Sequence, residues 1–129
     1  MNYLAWFELG RTELMRANGV SYAGLEDEGI LLPVARAELD YRQGAGYDER
    51  VWILSRVKQV RSRTVTFAYE ARRVDDEALL ARGSTTLVCT DSDLRLRRIP
   101  DEAQQMLEQL RSAAEADSSG SGVPTPGSE

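Results

Sequence analysis

An α+β domain, one sheet curved around one helix, is the architecture this sequence predicts. Two observations carry that reading. Residues 2–18 form a helix whose first half, from Tyr3, Leu4, Ala5, Trp6 and Phe7 to Leu9, is apolar on nearly every side, so other structure should wrap it. Behind it come consecutive extended segments separated by turns, with no second long helix between them to make a parallel crossover. The length agrees: 129 residues, 42% hydrophobic and 29% charged, suit one domain with one modest core.

The elements follow in order. Leu14 and Met15 continue the helical spacing, and Gly19 behind Asn18 is a stop of the left-handed type. A loop containing Gly24 and Gly29 leads into Ile30–Tyr41. There Ala35, Ala37, Leu39 and Tyr41 alternate with Arg36, Glu38 and Asp40, the pattern of a half-buried strand. Tyr47 and Asp48 belong to a Gly-rich turn, Gly44-Ala45-Gly46, before a strand over Val51–Val60. Thr64–Arg73 sets Val65, Phe67, Tyr69 and Ala71 on one face, Val74–Glu77 reads as a hairpin turn, and Leu79–Thr90 is a long strand. Its Ser84, Thr85 and Thr86 read as cross-strand residues and Cys89 as a small core residue. Leu94–Ile99 is a short arginine-rich strand, and Pro100, Asp101 and Glu102 open a helix to about Ala116. The domain therefore spans 1–116, and 117–129 is a disordered acidic tail of Ser, Gly and Pro.

Composition removes much chemistry. With no histidine and one cysteine, no Ser-His-Asp or Cys-His nucleophile and no zinc site of the usual kinds can be built, and the metal expectation is none. A lone cysteine forms no disulfide within the chain and suits a reducing cytoplasm. No apolar run approaches the ~20 residues of a membrane span, so no membrane is expected as a partner. Residues 101–129 carry six acidic groups and one arginine of a total charge of −5, leaving 1–100 neutral. Inside that neutral body, 50–73 holds seven basic residues against Glu70 alone, which suggests a local anion site. Fifteen of the sixteen basic residues are arginine, the better fork for phosphate.

Particular runs of residues carry a resemblance. Asn2-Tyr3-Leu4-Ala5-Trp6-Phe7-Glu8 with Arg11-Thr12-Glu13, then 32–41, Ala45-Gly46-Tyr47-Asp48-Glu49, 64–70, 83–90 and Ile99-Pro100-Asp101-Glu102 together resemble the hotdog-fold acyl-CoA thioesterases. The branch they are similar to is the 4-hydroxybenzoyl-CoA and Tol-Pal-associated type. Relatives usually place a proline near Gln43-Gly44, where this chain has none.

The resemblance implies a hotdog fold, a homodimer or homotetramer, and hydrolysis of an acyl-CoA to coenzyme A and a carboxylic acid, with no cofactor beyond the coenzyme A of the substrate. In that branch a carboxylate attacks the thioester or activates water, and amides at the helix N-terminus hold the oxyanion. The family aspartate, with its strand and turn, would precede Met1, so the chain reads as N-terminally truncated. Glu8 is then the candidate pocket carboxylate, or else an ion-pair partner of Arg11 at i+3. Asn2 and Tyr3 stand at the helix mouth, Tyr47 and Asp48 in an entrance loop, and Arg61, Arg63, Arg97 and Arg98 near positions where relatives meet coenzyme A phosphates. Two other readings compete: a non-catalytic acyl-CoA or acyl-carrier binding module, or truncated product, and, ranked last, a single-stranded nucleic-acid platform on the arginine strands.

Overall fold

The long helix α1 (Tyr3–Ala17) lays one stripe, Tyr3, Phe7, Gly10, Arg11, Leu14 and Met15, against a sheet. Gly19 adopts φ of 90°, and the Val20 N–H reaches back to the Met15 carbonyl at 3.0 Å, so the helix stops where the Asn-Gly pair placed the stop. These features come from a computed structural model, which describes residues 3–44, 49–117 and 121–124. After α1 come α2 (Tyr22–Asp27), β1 (Val34–Tyr41), β2 (Val51–Val60), β3 (Thr64–Arg73), β4 (Leu79–Val88), α3 (Asp101–Asp117) and β5 (Ser121–Pro124). The strands form one antiparallel sheet in the order β1-β4-β3-β2-β5. A helix packed on an antiparallel sheet is the α+β class read from the sequence.

The core lies between α1 and the middle of the sheet. On β2, Val51, Ile53 and Val57 point under the helix; on β3, Val65, Phe67, Tyr69 and Ala71 do. Phe7 stacks on Tyr69 with ring centroids 4.7 Å apart. Two glycines make the close approach possible. A Cβ at position 10 would collide with Ser55 Oγ, and a Cβ at position 83 would stand 2.5 Å from the Glu38 carbonyl and 2.9 Å from the Phe7 ring. The helix propensity lost at Gly10 is thus exchanged for contact with β2. α3 packs along β2 and buries Ala103 and Leu107.

Several expectations are corrected. The loop before β1 contains α2, capped by the Ser21 hydroxyl, which accepts from the Gly24 N–H at 3.0 Å. α1 is covered on one side only, with Leu4, Ala5 and Glu8 exposed. β1 is not half-buried: all eight of its residues are exposed, because no helix of the chain lies over it. β4 ends at Val88, and residues 94–99 form no strand; a single bridge joins Thr90 to Leu96. Leu94 is held at φ of 63°, in a turn closed by the Asp91 carboxylate, which accepts from the Asp93 and Arg95 N–H groups. The region expected to be a disordered tail includes β5, paired with Trp52–Ser55 along the β2 edge.

Candidate active site

Tyr3 opens α1 at one end of the sheet. Its ring is buried, edge-on to Trp6 at 5.4 Å and 6.0 Å from Tyr41, and its hydroxyl donates to the Gln43 carbonyl at 3.2 Å. Tyr3 therefore packs and fixes the helix entry to the chain after β1. This N-terminal end of α1, the positive end of its dipole, lies beside the Tyr41 end of β1. One side of β1 is Ala35, Ala37, Leu39 and Tyr41, an exposed apolar row that the Tyr3 ring approaches at its Tyr41 end. Asn2, Tyr47 and Asp48 lie outside the described residues.

Glu8 is exposed on α1, about 7.5 Å along the helix axis from Tyr3. It makes no ion pair with Arg11 among the described residues, so the pairing alternative is not what the structure holds. Arg11 is buried instead among hydroxyls: its Nε donates to Tyr22 Oη at 2.9 Å and one Nη to Tyr69 Oη at 3.4 Å. Tyr69 Oη lies 2.5 Å from Thr85 Oγ1. An arginine only donates, so Tyr69 accepts from it, and the Tyr69 and Thr85 hydroxyls share a hydrogen bond that either can donate. Burial raises the pKa of both phenols, and the field of Glu8 adds to this at each, so both are neutral donors near neutral pH. Burial works against the Arg11 charge, but the two phenols more than offset it and leave its pKa raised. Beneath this cluster, Ser55 pairs across the sheet with Tyr69, and its buried Oγ has no partner.

The arginines gather at the other end. Ile99 N–H donates to Ser62 O at 2.8 Å, Cys89 N–H to Arg63 O at 2.8 Å, and Arg97 N–H to Cys89 O at 2.9 Å. These bonds set Arg61 and Arg63 beside Arg97 and Arg98, and none of the four has an ion-pair partner among the described residues. Arg56 and Lys58 stand apart from this patch, on the exposed face of β2. Cys89 is buried, with its thiol pKa pushed up by burial, which makes it a core residue. Asp76 accepts from the Ala78 N–H in the β3–β4 turn, as expected of turn chemistry. Among the described residues no group of three or more His, Cys, Asp or Glu could hold a metal ion, and no helix is long and apolar enough to cross a membrane.

Helix mouth and arginine patch lie far apart within one chain. Tyr41 pairs with Ala81 at the start of β4, whereas Arg63 adjoins Cys89 just past its end, about 25 Å along the strand. A family model described as Thioesterase-like superfamily matches residues 1–110. The chain belongs to this superfamily.

YneP of Bacillus subtilis is 26% identical over 92 residues, 71% of this chain and 66% of YneP. The acyl-CoA thioesterase YbgC of Haemophilus influenzae is 28% identical over 90 residues, 69% of this chain and 65% of YbgC. The chain thus spans just under two thirds of the length of each. Among solved structures, the DHNA-CoA thioesterase of Staphylococcus aureus superposes with a TM-score of 0.79 at 26% identity, covering 91% of this chain and 80% of that one. Hotdog architecture is therefore the fold of this superfamily member.

Sequence reasoning missed the Tyr22–Arg11–Tyr69–Thr85 cluster, having treated Arg11 only as a partner for Glu8. The signal was present: Arg11 follows Phe7 by four residues on the apolar stripe, where a cation must find buried acceptors.

Proposed function

We propose that this chain is an acyl-CoA thioesterase acting as a homodimer joined through β1. The observation that carries the proposal is the bare β1. It is an edge strand exposed on both faces, yet its inner row is apolar and flanks the amide end of α1. An unpaired edge of this length is normally paired or blocked. Antiparallel pairing of β1 with β1 of a second copy would set the Tyr41 end of one against the Val34 end of the other. Arg61 and Arg63 of one copy would then approach the α1 mouth of the second to about 15 Å, three strand spacings, within reach of one extended coenzyme A. The acyl group would lie over Ala35, Ala37, Leu39 and Tyr41, with its phosphates on the arginine patch. A buried lone thiol suits the cytoplasm, where we place the enzyme.

In this reading the thioester carbonyl lies at the N-terminal end of α1, whose positive dipole end favours the negative charge that develops on its oxygen. Glu8 leans back toward the helix start, as helical side chains do, and takes the proton from the attacking water. Water oxygen bonds to the acyl carbon, the carbon–sulfur bond breaks, and the coenzyme A thiolate leaves and is protonated. The products are coenzyme A and a carboxylic acid.

Release of free thiol from a panel of aromatic and aliphatic acyl-CoAs tests the proposal. Glu8→Gln should lower kcat by about 10²–10⁴ with folding intact. Full activity in Glu8→Gln would remove Glu8 from the mechanism. Tight binding of acyl-CoA with no thiol released would make the chain a binding module instead.

A further inference from the structure

Arg11 has more hydrogen-bonding capacity than the described residues use. A guanidinium carries five N–H donors, and among the described residues two find acceptors, at Tyr22 and Tyr69. Neither acceptor is a carboxylate, and a buried cation without an anion is costly. The side chain is not fully enclosed, with 6% of Arg11 still exposed. Its place in the fold says where that opening lies. Tyr69 bonds Thr85, and Thr85 is the β4 residue paired with Ala37 of β1. The guanidinium thus stands at the junction of α1, β4 and the bare row of β1, beyond Glu8 from the helix mouth. The charged and titratable groups around it are Glu8, Tyr22 and Tyr69.

We propose that Arg11 determines substrate specificity by receiving a carboxylate at the far end of the acyl group, so that the preferred substrates are coenzyme A thioesters of dicarboxylic acids. This rests on the thioesterase reading and names the substrate class of that same site. A carboxylate matches the fork of a guanidinium and supplies an anion that no described residue places on Arg11. About 12 Å of helix axis separates Tyr3 from Arg11, and the arginine side chain leans back along it. That span suits an acyl chain of moderate length whose thioester stays at the amide end. Tyr22 and Tyr69 are positioning residues: they hold Nε and one Nη and leave the remaining edge free.

The test compares adipoyl-CoA with hexanoyl-CoA, which has the same chain length and a methyl end. Wild-type enzyme should favour adipoyl-CoA in kcat/KM by about tenfold or more, the size of a charge-assisted hydrogen bond. Arg11→Met should bring the ratio to about one, mainly by raising KM for adipoyl-CoA, while Arg11→Lys keeps part of it. Free adipate should raise the Tm of wild type more than hexanoate does, a difference that disappears in Arg11→Met. Equal kcat/KM for both substrates in wild type overturns the proposal. So does an equal loss for both in Arg11→Met, which would make Arg11 purely structural. If Arg11→Met does not fold, Arg11→Lys and the adipate–hexanoate difference in wild type still decide. If no thioester is cleaved at all, the thioesterase reading fails, and the adipate shift continues to report on Arg11 independently.

Discussion

Strands β1 and β3 carry the same alternation of apolar and polar residues but end in different surroundings. In β3, Val65, Phe67, Tyr69 and Ala71 are sealed beneath α1. In β1, Ala35, Ala37, Leu39 and Tyr41 remain exposed, Tyr41 by 59%. Alternation reports that a face is meant to be covered, and it does not say by what. For β3 the cover is Phe7 and its neighbours on α1, held close by Gly10 and Gly83. For β1 the described residues leave the row exposed, and the proposed second copy and acyl group would provide the cover.

The largest expected effect strikes the sealed half. Gly83→Val places a Cβ against the backbone carbonyl of Glu38 and against the Phe7 ring, neither of which can yield cheaply. The cost should be about 3 kcal/mol or more, lowering Tm by roughly 10 °C in a thermal melt. An unchanged Tm would mean that α1 does not rest on β4 as closely as these contacts require.

The open half should respond in assembly rather than folding. Leu39→Asp sets a charge in the bare row of β1, where no atom of this chain would be buried with it. Light scattering should show dimer giving way to monomer, with the dimer Kd raised at least about tenfold. Wild-type Tm should rise with protein concentration, and that dependence should vanish in the variant. A dimer of unchanged affinity would place the interface elsewhere and leave β1 without a cover.

A smaller effect tests whether the two ends of the sheet serve one ligand. Changing Arg61 and Arg63 together to Gln should raise KM for an acyl-CoA about tenfold, because exposed charges in salt lie at the weak end of such interactions. A pantetheine thioester lacking the nucleotide should keep its KM. Added salt should reproduce the double substitution for the coenzyme A ester alone. Equal losses for both esters would assign the arginines to the fold or the interface.

How much of this was legible in the sequence differs between the halves for physical reasons. Period and turn chemistry are local, so β2, β3 and the end of α1 at Gly19 could be read directly. α2 could not, because a six-residue helix with Gly24 inside it has little periodicity and depends on the Ser21 cap. The exposure of β1 was hidden because burial is a property of neighbours. Residues 94–99 alternate like a strand, but after the Asp91 turn they make the isolated Thr90–Leu96 bridge and scattered backbone bonds to Cys89 and Ser62 rather than a ladder. At the site, Arg61 and Arg63 stand beside Arg97 and Arg98 through backbone bonds that link 62–63 with 89 and 97–99, although 94–99 form no strand. The Arg11 cluster joins α1, α2, β3 and β4, so no local pattern could assemble it.

The smallest effect concerns the one imperfection in the sealed half. Ser55 lies under Gly10 with its hydroxyl buried and unpartnered among the described residues, and such a group is paid for in desolvation without a hydrogen bond in return. Ser55→Ala removes the hydroxyl and leaves a void smaller than a methyl group. Relief of the unpaired hydroxyl outweighs the small void, and stabilisation of about 0.5–1 kcal/mol is expected, a rise in Tm of a few degrees. Ser84→Ala, on the opposite face of the sheet and half-exposed, should move stability by less than about 0.5 kcal/mol. If Ser55→Ala instead destabilises by more than about 1 kcal/mol, its hydroxyl has a partner such as an ordered water. The sealed half would then contain a hydrated polar seam from Ser55 toward Tyr69 rather than a dry core.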